Sequence, residues 1–335
     1  MQPSPKILLI ECWLGPLPPW RPIYEASCKA NPHLDFLVLT DQVNSPKRDA
    51  NIIWEPITGE RLEELIKEHY RFQGPLGSAW DLTKLKPAYG ALFSRFLTGY
   101  QFWGFHDSDL VWGDTRRFLT EERLAAYDVL TASAAWMVGH FSIFKLNTSA
   151  ALPHLLIADY WNLIQKENHK GVCVDEEILD HALARMERQS KIRVLRAQWL
   201  LGDGLHPRWK KRALERLRSR DTDDDDYVFE HGQCRWDGLS VVHEATGREA
   251  LYFHFQHWKR KYSLENVSYS PLVAEYRFRA DRIEAVRFKS HGLASLIFWI
   301  RHEFSHRLIF ALKSAKAAAH HRLEQGTQNL KRYAS

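Results

Sequence analysis

The sequence has few cysteines and no long apolar run. Its four cysteines are scattered over 335 residues without a paired short spacing, which argues against a zinc cage or a disulfide framework and is typical of a reducing compartment. The apolar run nearest the N-terminus, Ile7 to Ile10, is too short for a signal-peptide core or a membrane span. We therefore expect a cytoplasmic protein of ordinary globular composition, with 45% hydrophobic and 26% charged residues.

The chain also lacks a large excess of one charge, since its net charge is only +5. The positive charge is concentrated in residues 277–335, which contain 12 Lys and Arg against 4 Asp and Glu, so the remainder is slightly acidic. A slightly acidic body argues against nucleic acid as a partner. An apolar stripe in the same region predicts a basic amphipathic helical extension over residues 263–335. It either packs on the rest of the chain or contacts an anionic membrane surface, which would place the protein peripherally at the inner face of the membrane.

Strand-like apolar segments alternate with segments of helical period along the first 260 residues. Strands are predicted at Ile7 to Ile10, Phe36 to Leu39 and Gln101 to His106, and again in YDVLTAS and HFSIFK. Helices are predicted in GERLEELIKEHY, KPAYGALFSRFL, LPHLLIADYWNLI and DEEILDHALARM, and a hairpin of short strands in CRWDGLSVVHEATGREALYFHFQHWK. The alternation predicts an α/β domain over residues 5–262, with a mostly parallel sheet flanked by helices.

The strongest local signal is the triplet Asp107-Ser108-Asp109, directly after the aromatic strand that ends at His106. Residues i and i+2 of an extended chain project to the same side, so Asp107 and Asp109 can bind one cation. Ligands of parallel sheets bind beyond the carboxyl ends of the strands, where this triplet lies. We therefore predict a Mg²⁺ or Mn²⁺ site with open positions for phosphate oxygens. Taken alone, such triplets also occur in helix caps and solvated turns.

Five segments together resemble the motif series of a family of bacterial GT-A-like glycosyltransferases, which is DUF6625-like. The segments are LLIECWLGPLPPW, NPHLDFLVLTD, LKPAYGALF, GYQFWGFHDSDLVWGD and YFHFQHWK. The resemblance implies a GT-A fold and metal-dependent transfer of a hexose from a nucleotide-sugar donor, with UDP as the expected nucleotide. It further implies a glycan or lipid-linked glycan as the acceptor and a role in cell-surface polysaccharide synthesis.

The same resemblance implies which residues face the donor. Gly15, in the Gly-Pro loop, and Asp41, after the second strand, fall on the nucleotide side, and Lys86 falls near the donor phosphates. The chain departs from the family pattern at one position. Members often have an acidic residue two positions before the lysine of the Lys-Pro pair, where this chain has Lys84, with Asp81 nearby.

The late segment YFHFQHWK offers a third metal ligand. GT-A sites commonly take this ligand from a late histidine, and the resemblance points to His254. His254 and His257 lie three residues apart, so they point to opposite faces of a strand and only one of them can be the ligand. Lys259 is expected to contact the diphosphate, although with Arg260 and Lys261 it also fits a solvated basic cluster.

Three residues are candidates for catalysis at the acceptor. Asp175 and Glu176 offer carboxylates for a general base that deprotonates the acceptor hydroxyl. The alternative is that they stabilise the first turn of the following helix by capping and by interaction with its dipole. His140 resembles a family position that faces the acceptor.

Two other functions remain open from the sequence. A nucleotidyltransferase shares the sheet and the metal chemistry, but it usually has a glycine-rich phosphate loop after the first strand. Here that loop is WLGPLPPW, which is rich in proline. The second alternative is a non-catalytic sugar-binding protein on the same fold.

Overall fold

The computed structural model describes residues 6–70, 76, 79–165, 173–202, 234–255, 270, 273–278 and 283–287. The chain divides into two compact units, Met1–Tyr269 with Glu275–Ala285 and Ser270–Ala274 with Val286–Ser335. Nearly all of the second unit lies outside the described residues, and so does most of the predicted extension 263–335. Among the helices in these ranges, none is long and apolar enough to cross a membrane.

The central feature is an eight-stranded sheet in the order β3-β4-β2-β1-β5-β8-β7-β9. Its strands are β1 (Ile7–Trp13), β2 (Leu34–Thr40), β3 (Lys47–Asp49), β4 (Ile52–Pro56), β5 (Phe102–His106), β7 (Val129–Thr131), β8 (Phe141–Lys145) and β9 (Val194–Arg196). All but β3 and β8 run in the same direction. The predicted α/β architecture with a mostly parallel sheet is therefore confirmed.

The apolar strands bury both faces of this sheet. In β1, Leu8 and Ile10 contribute to the hydrophobic cluster on one face, whereas Ile7 and Leu9 contribute to the cluster on the other. Strand β1 pairs in parallel with both β2 and β5. Because β1 is central and covered on both sides, its sequence reads as a continuous apolar run, as expected for a buried parallel strand.

Helices flank the sheet, and local signals explain where several of them begin. The helices in the described ranges are α1 (Arg21–Lys29), α2 (Gly59–His69), α3 (Ala79–Leu85), α4 (Tyr89–Leu92), α5 (Glu121–Ala126), α6 (Tyr160–Gln165) and α7 (Leu179–Arg188). Helix α1 has a proline in its first turn, where the missing N–H costs nothing. In front of α2, the side chain of Thr58 accepts a hydrogen bond from the Arg61 amide.

Two predicted helices are broken into shorter pieces. The helix expected from Pro87 is instead a 3-10 turn over Lys86–Ala88, then the single turn of α4, then a second 3-10 turn. Gly90 packs so closely on Trp103 that a Cβ there would lie 2.4 Å from the indole ring. The helix expected around residues 152–164 is a 3-10 turn over Pro153–Leu156 followed by α6, and Asp159 between them has a φ of 55°.

The predicted C-terminal hairpin is correct for its first strands only. The strands β11 (Cys234–Trp236), β12 (Val241–His243) and β13 (Glu249–Ala250) pair antiparallel in chain order. They belong to a five-stranded sheet with β15 (Val273–Phe278) and β16 (Ile283–Arg287). The next strand, β14 (Tyr252–His254), leaves this sheet. It pairs antiparallel with β6 (Leu110–Trp112) and parallel with β10 (Leu200–Gly202).

Candidate functional site

Three potential metal ligands meet beyond the carboxyl end of β5. This strand is buried throughout, and it delivers Asp107 and Asp109 to the turn that connects it to β6. Antiparallel pairing of β6 with β14 places His254 opposite Leu110, directly after that turn. One side-chain ligand atom from each of Asp107, Asp109 and His254 lies within 4.8 Å of the other two. The structure thus brings together the three residues that the sequence predicts for the metal.

The turn is held by two separate segments of the chain. The amide of Phe255 donates to Asp109 O at 3.2 Å, and the imidazole Nε2 of His254 lies 3.4 Å from Asp109 Oδ2. From the segment before α1, the indole Nε1 of Trp20 donates to Ser108 O at 3.1 Å. The ring of Trp20 also meets that of Phe255 edge to face, with centroids 5.8 Å apart. Sequence analysis missed Trp20, for which the only signal is its place at the end of the proline-rich loop.

Lys86 lies against the same turn, almost completely buried. Its Nζ donates to Asp107 Oδ1 at 2.6 Å and to Gly139 O at 2.8 Å, and it lies 3.3 Å from Asp175 Oδ2. Burial by itself lowers the pKa of a lysine, but the carboxylates of Asp107 and Asp175 outweigh it and raise the pKa of Lys86 above its usual value. Lys86 is therefore a buried ammonium shared between two acids.

Asp175 and Glu176 lie in one turn of π-helix, Val174–Ile178, which precedes α7. The residue before this turn, Cys173, provides no side-chain cap, and Asp175 is directed to Lys86 instead. Burial raises the pKa of Asp175, and burial together with the charge of Asp175 raises the pKa of Glu176 to about 7. Glu176 Oε1 accepts a hydrogen bond from the Gly139 amide at 3.2 Å.

His140 follows Gly139 in the chain, and its ring lies against those of Tyr252 and His254. Its Nδ1 is 2.7 Å from the Tyr252 hydroxyl, and its ring centroid is 4.2 Å from that of His254. Burial, followed by the neighbouring His254, lowers the pKa of His140 well below its usual value. The imidazole of His140 is therefore neutral at physiological pH.

The nucleotide-side candidates occupy the ends of β1 and β2. The Gly15 amide donates to both carboxylate oxygens of Asp41, at 2.9 and 3.1 Å, and Gly15 has a φ of +92° that favours glycine. Asp41 thus fixes the loop after β1. At the position that departs from the family pattern, Lys84 pairs with Asp81 at 2.8 Å. His257 and Lys259 lie outside the described residues, so the predictions for them are not tested.

The two carboxylates suit Mn²⁺ or Mg²⁺, and the imidazole favours Mn²⁺ of the two, because Mg²⁺ is the harder ion and prefers oxygen ligands. Three protein ligands leave coordination positions of such an ion for phosphate oxygens or water. The surrounding Lys86, Asp175, Glu176 and His140 supply one ammonium, two carboxyl groups and one neutral imidazole within the same site. The arrangement is therefore suited to binding a phosphorylated donor and to moving a proton next to it.

The chain matches the family of unknown function DUF6625 over residues 9–284. This is most of its length, and the chain therefore belongs to that family. The resemblance to a DUF6625-like family that the sequence indicates is thereby confirmed. No curated protein matches the chain.

Solved structures similar to the chain include several glycosyltransferases. The apo form of GlyE from Streptococcus pneumoniae TIGR4 is 13% identical with a TM-score of 0.32, over 94% of this chain and 64% of that chain. The Q189E active-site mutant of LgtC is 9% identical with a TM-score of 0.40, over 90% of this chain and 95% of that chain. Mouse xyloside xylosyltransferase 1 is 10% identical with a TM-score of 0.37, over 74% of this chain and 96% of that chain. In another GlyE structure, the match spans 45% of that protein. Function has to be inferred from the site itself.

Proposed function

We propose that this protein is a metal-dependent glycosyltransferase of the GT-A type, which moves a hexose from a UDP-sugar to an acceptor hydroxyl. The observation that carries the proposal is the convergence of Asp107, Asp109 and His254 beyond the carboxyl end of β5. In open α/β sheets this is the edge where ligands bind. Asp-x-Asp with a late histidine is also the ligand pattern that the resemblance to GT-A enzymes implies.

The ligands, Asp107, Asp109 and His254, would hold Mn²⁺ or Mg²⁺. When bound, such an ion neutralises the charge that develops on a departing nucleoside diphosphate. The loop that Gly15 and Asp41 fix lies at the neighbouring strand ends, and we assign it to the nucleotide. The basic Lys259 is assigned to the diphosphate.

The acceptor side is assigned to Asp175, Glu176 and His140. A carboxyl group with a pKa of about 7, such as that of Glu176, is close to the operating pH, which is the condition under which general acid–base catalysis is most effective. Asp175 is fixed by Lys86 next to it. The neutral imidazole of His140 can form a hydrogen bond with an acceptor hydroxyl. We assign a glycan or lipid-linked glycan as acceptor, in cell-surface polysaccharide synthesis. Membrane contact through residues 263–335 stays a prediction.

Titration calorimetry of the purified protein with UDP in the presence of Mn²⁺ tests the proposal. We expect Asp107→Ala and Asp109→Ala to lose Mn²⁺-dependent UDP binding while keeping the wild-type circular dichroism spectrum. Asp114→Ala is the matched control, because Asp114 caps the next 3-10 turn and is not one of the three ligand candidates. Wild-type affinity in both ligand variants would contradict the metal assignment. Donor binding without any hydrolysis or transfer would instead favour a non-catalytic sugar-binding protein.

A further inference from the structure

The ammonium group of Lys86 has as many acceptors around it as it has protons to donate. A lysine ammonium carries three N–H donors. Lys86 Nζ has acceptors at 2.6, 2.8 and 3.3 Å, which are Asp107 Oδ1, Gly139 O and Asp175 Oδ2. Only 6% of the side chain is exposed. A phosphate oxygen could therefore bind Lys86 only by displacing one of these acceptors.

The three acceptors come from separate parts of the chain. Asp107 follows β5, Gly139 precedes β8, and Asp175 lies in the π-turn before α7. Charge-assisted hydrogen bonds of this kind are short and directional, so they fix the orientation of a carboxylate. One oxygen of Asp107 is engaged at 2.6 Å by Lys86, which leaves its other oxygen for a cation.

We infer that Lys86 is a positioning residue, not a phosphate ligand. It orients Asp107 for the metal and ties this ligand to Gly139 and Asp175 on the acceptor side. The inference rests on the proposed function, because it presupposes that Asp107 binds a cation. Residues that hydrogen-bond to metal ligands fix ligand orientation, and their mutation typically costs about 10- to 100-fold in metal affinity or activity.

The test uses Mn²⁺ alone as the probe and follows the loss of the free-ion electron paramagnetic resonance signal on binding to the full chain. Lys86→Met keeps the length of the side chain and removes the donors, and we expect Mn²⁺ affinity to fall about 10- to 100-fold. Lys86→Gln keeps N–H donors without the charge. Its Mn²⁺ affinity should lie between that of the wild type and that of Lys86→Met. Lys84→Met is the matched control, because it breaks the nearby Lys84–Asp81 ion pair, and it should bind Mn²⁺ as the wild type does.

The direction of the change is decisive. Removing a positive charge beside a cation should by itself strengthen Mn²⁺ binding. A weaker affinity in Lys86→Met therefore identifies lost orientation, whereas an unchanged or tighter affinity overturns the inference. The inference is also overturned if Lys86→Met loses UDP affinity at saturating Mn²⁺, because Lys86 would then be a phosphate ligand. A wild-type protein that binds no Mn²⁺ would overturn the proposed function itself, and the inference with it.

Lys86→Met leaves two carboxylates without their shared cation, and it is the variant most at risk of misfolding. The double variant Lys86→Met/Asp175→Asn removes one of those charges and keeps the test usable. We expect it to recover thermal stability but not Mn²⁺ affinity. Recovery of both would show that Lys86 only balances charge in the fold, which would overturn the positioning role.

Discussion

Gly139 is the position where one added methyl group should clash directly with the proposed acceptor side. A Cβ at this residue would lie 2.2 Å from Asp175 Oδ2 and 3.2 Å from Glu176 Cγ. The first distance is more than about 1 Å shorter than a normal van der Waals contact. In Gly139→Ala, either the π-turn or the 139–140 backbone therefore has to move by roughly that amount.

Two magnitudes follow from this displacement. Overpacking of a tight site costs about 1–3 kcal/mol, which corresponds to a melting temperature lower by about 2–4 °C per kcal/mol in a domain of this size. A shift of about 1 Å in a catalytic group can lower the rate about 100-fold. In Gly139→Ala we expect the rate of Mn²⁺-dependent UDP release from a UDP-sugar to fall by this factor. The substrate for the assay is the UDP-sugar that most raises the melting temperature of the wild type. UDP affinity at saturating Mn²⁺ should change less than the rate does, because the added Cβ meets Asp175 and Glu176 first.

Gly59→Ala is the matched control for this experiment. Its Cβ would lie 3.8 Å from Leu14 Cδ1, an ordinary contact, and the residue begins α2. This variant should keep both the rate and the melting temperature. If Gly139→Ala also behaves as the wild type does, then Asp175 and Glu176 are not packed on Gly139 as described, and their assignment to catalysis loses its structural basis.

Two further predictions concern stability. The pKa of Glu176 is about 7 in the folded protein, above its usual 4.5, so the folded state favours the protonated carboxyl. The stabilisation of the folded state by this proton is complete below about pH 4.5 and is lost as the pH rises through 7. The melting temperature of the metal-free wild type should thus fall relative to that of Glu176→Gln between pH 5 and 8, and a constant difference would contradict the shift. Arg21→Met breaks the buried pair with Glu11, whose closest atoms are 2.8 Å apart, and should cost about 3–5 kcal/mol in urea unfolding. The double variant Arg21→Met/Glu11→Leu should recover part of this loss, and no recovery would argue against an uncompensated charge as the cause.

Local sequence signals predict the strands and the two aspartates, and the resemblance to GT-A enzymes adds His254, but neither predicts the partners of the buried charges. The apolar runs of β1 and β5 specify buried strands by themselves, and the Asp-Ser-Asp turn follows directly from where β5 ends. For Asp175, the local pattern also fits a helix cap. The partner in the structure is Lys86, about 90 residues earlier in the chain, and no local pattern reports a contact at such separation.

A contact at long separation also lies in the broken helix predicted from Pro87. The period of residues 86–97 is helical, but the approach of Gly90 to Trp103 is a tertiary contact that the period does not contain. Likewise, β14 continues the apolar pattern of the hairpin before it, yet it pairs with β6, beside the Asp107–Asp109 turn. A regular local pattern does not report such packing partners.

The pairing of β6 with β14 also sets when the three metal-ligand candidates can meet during synthesis. Asp109 and His254 are separated by roughly 145 residues, and such non-local contacts form late because a long loop must close first. A nascent chain that has only just exposed its two aspartates on the ribosome has neither the histidine nor the Phe255 amide that holds their turn. The three metal-ligand candidates would then come together only after the strand from the far end of the domain has docked on β6.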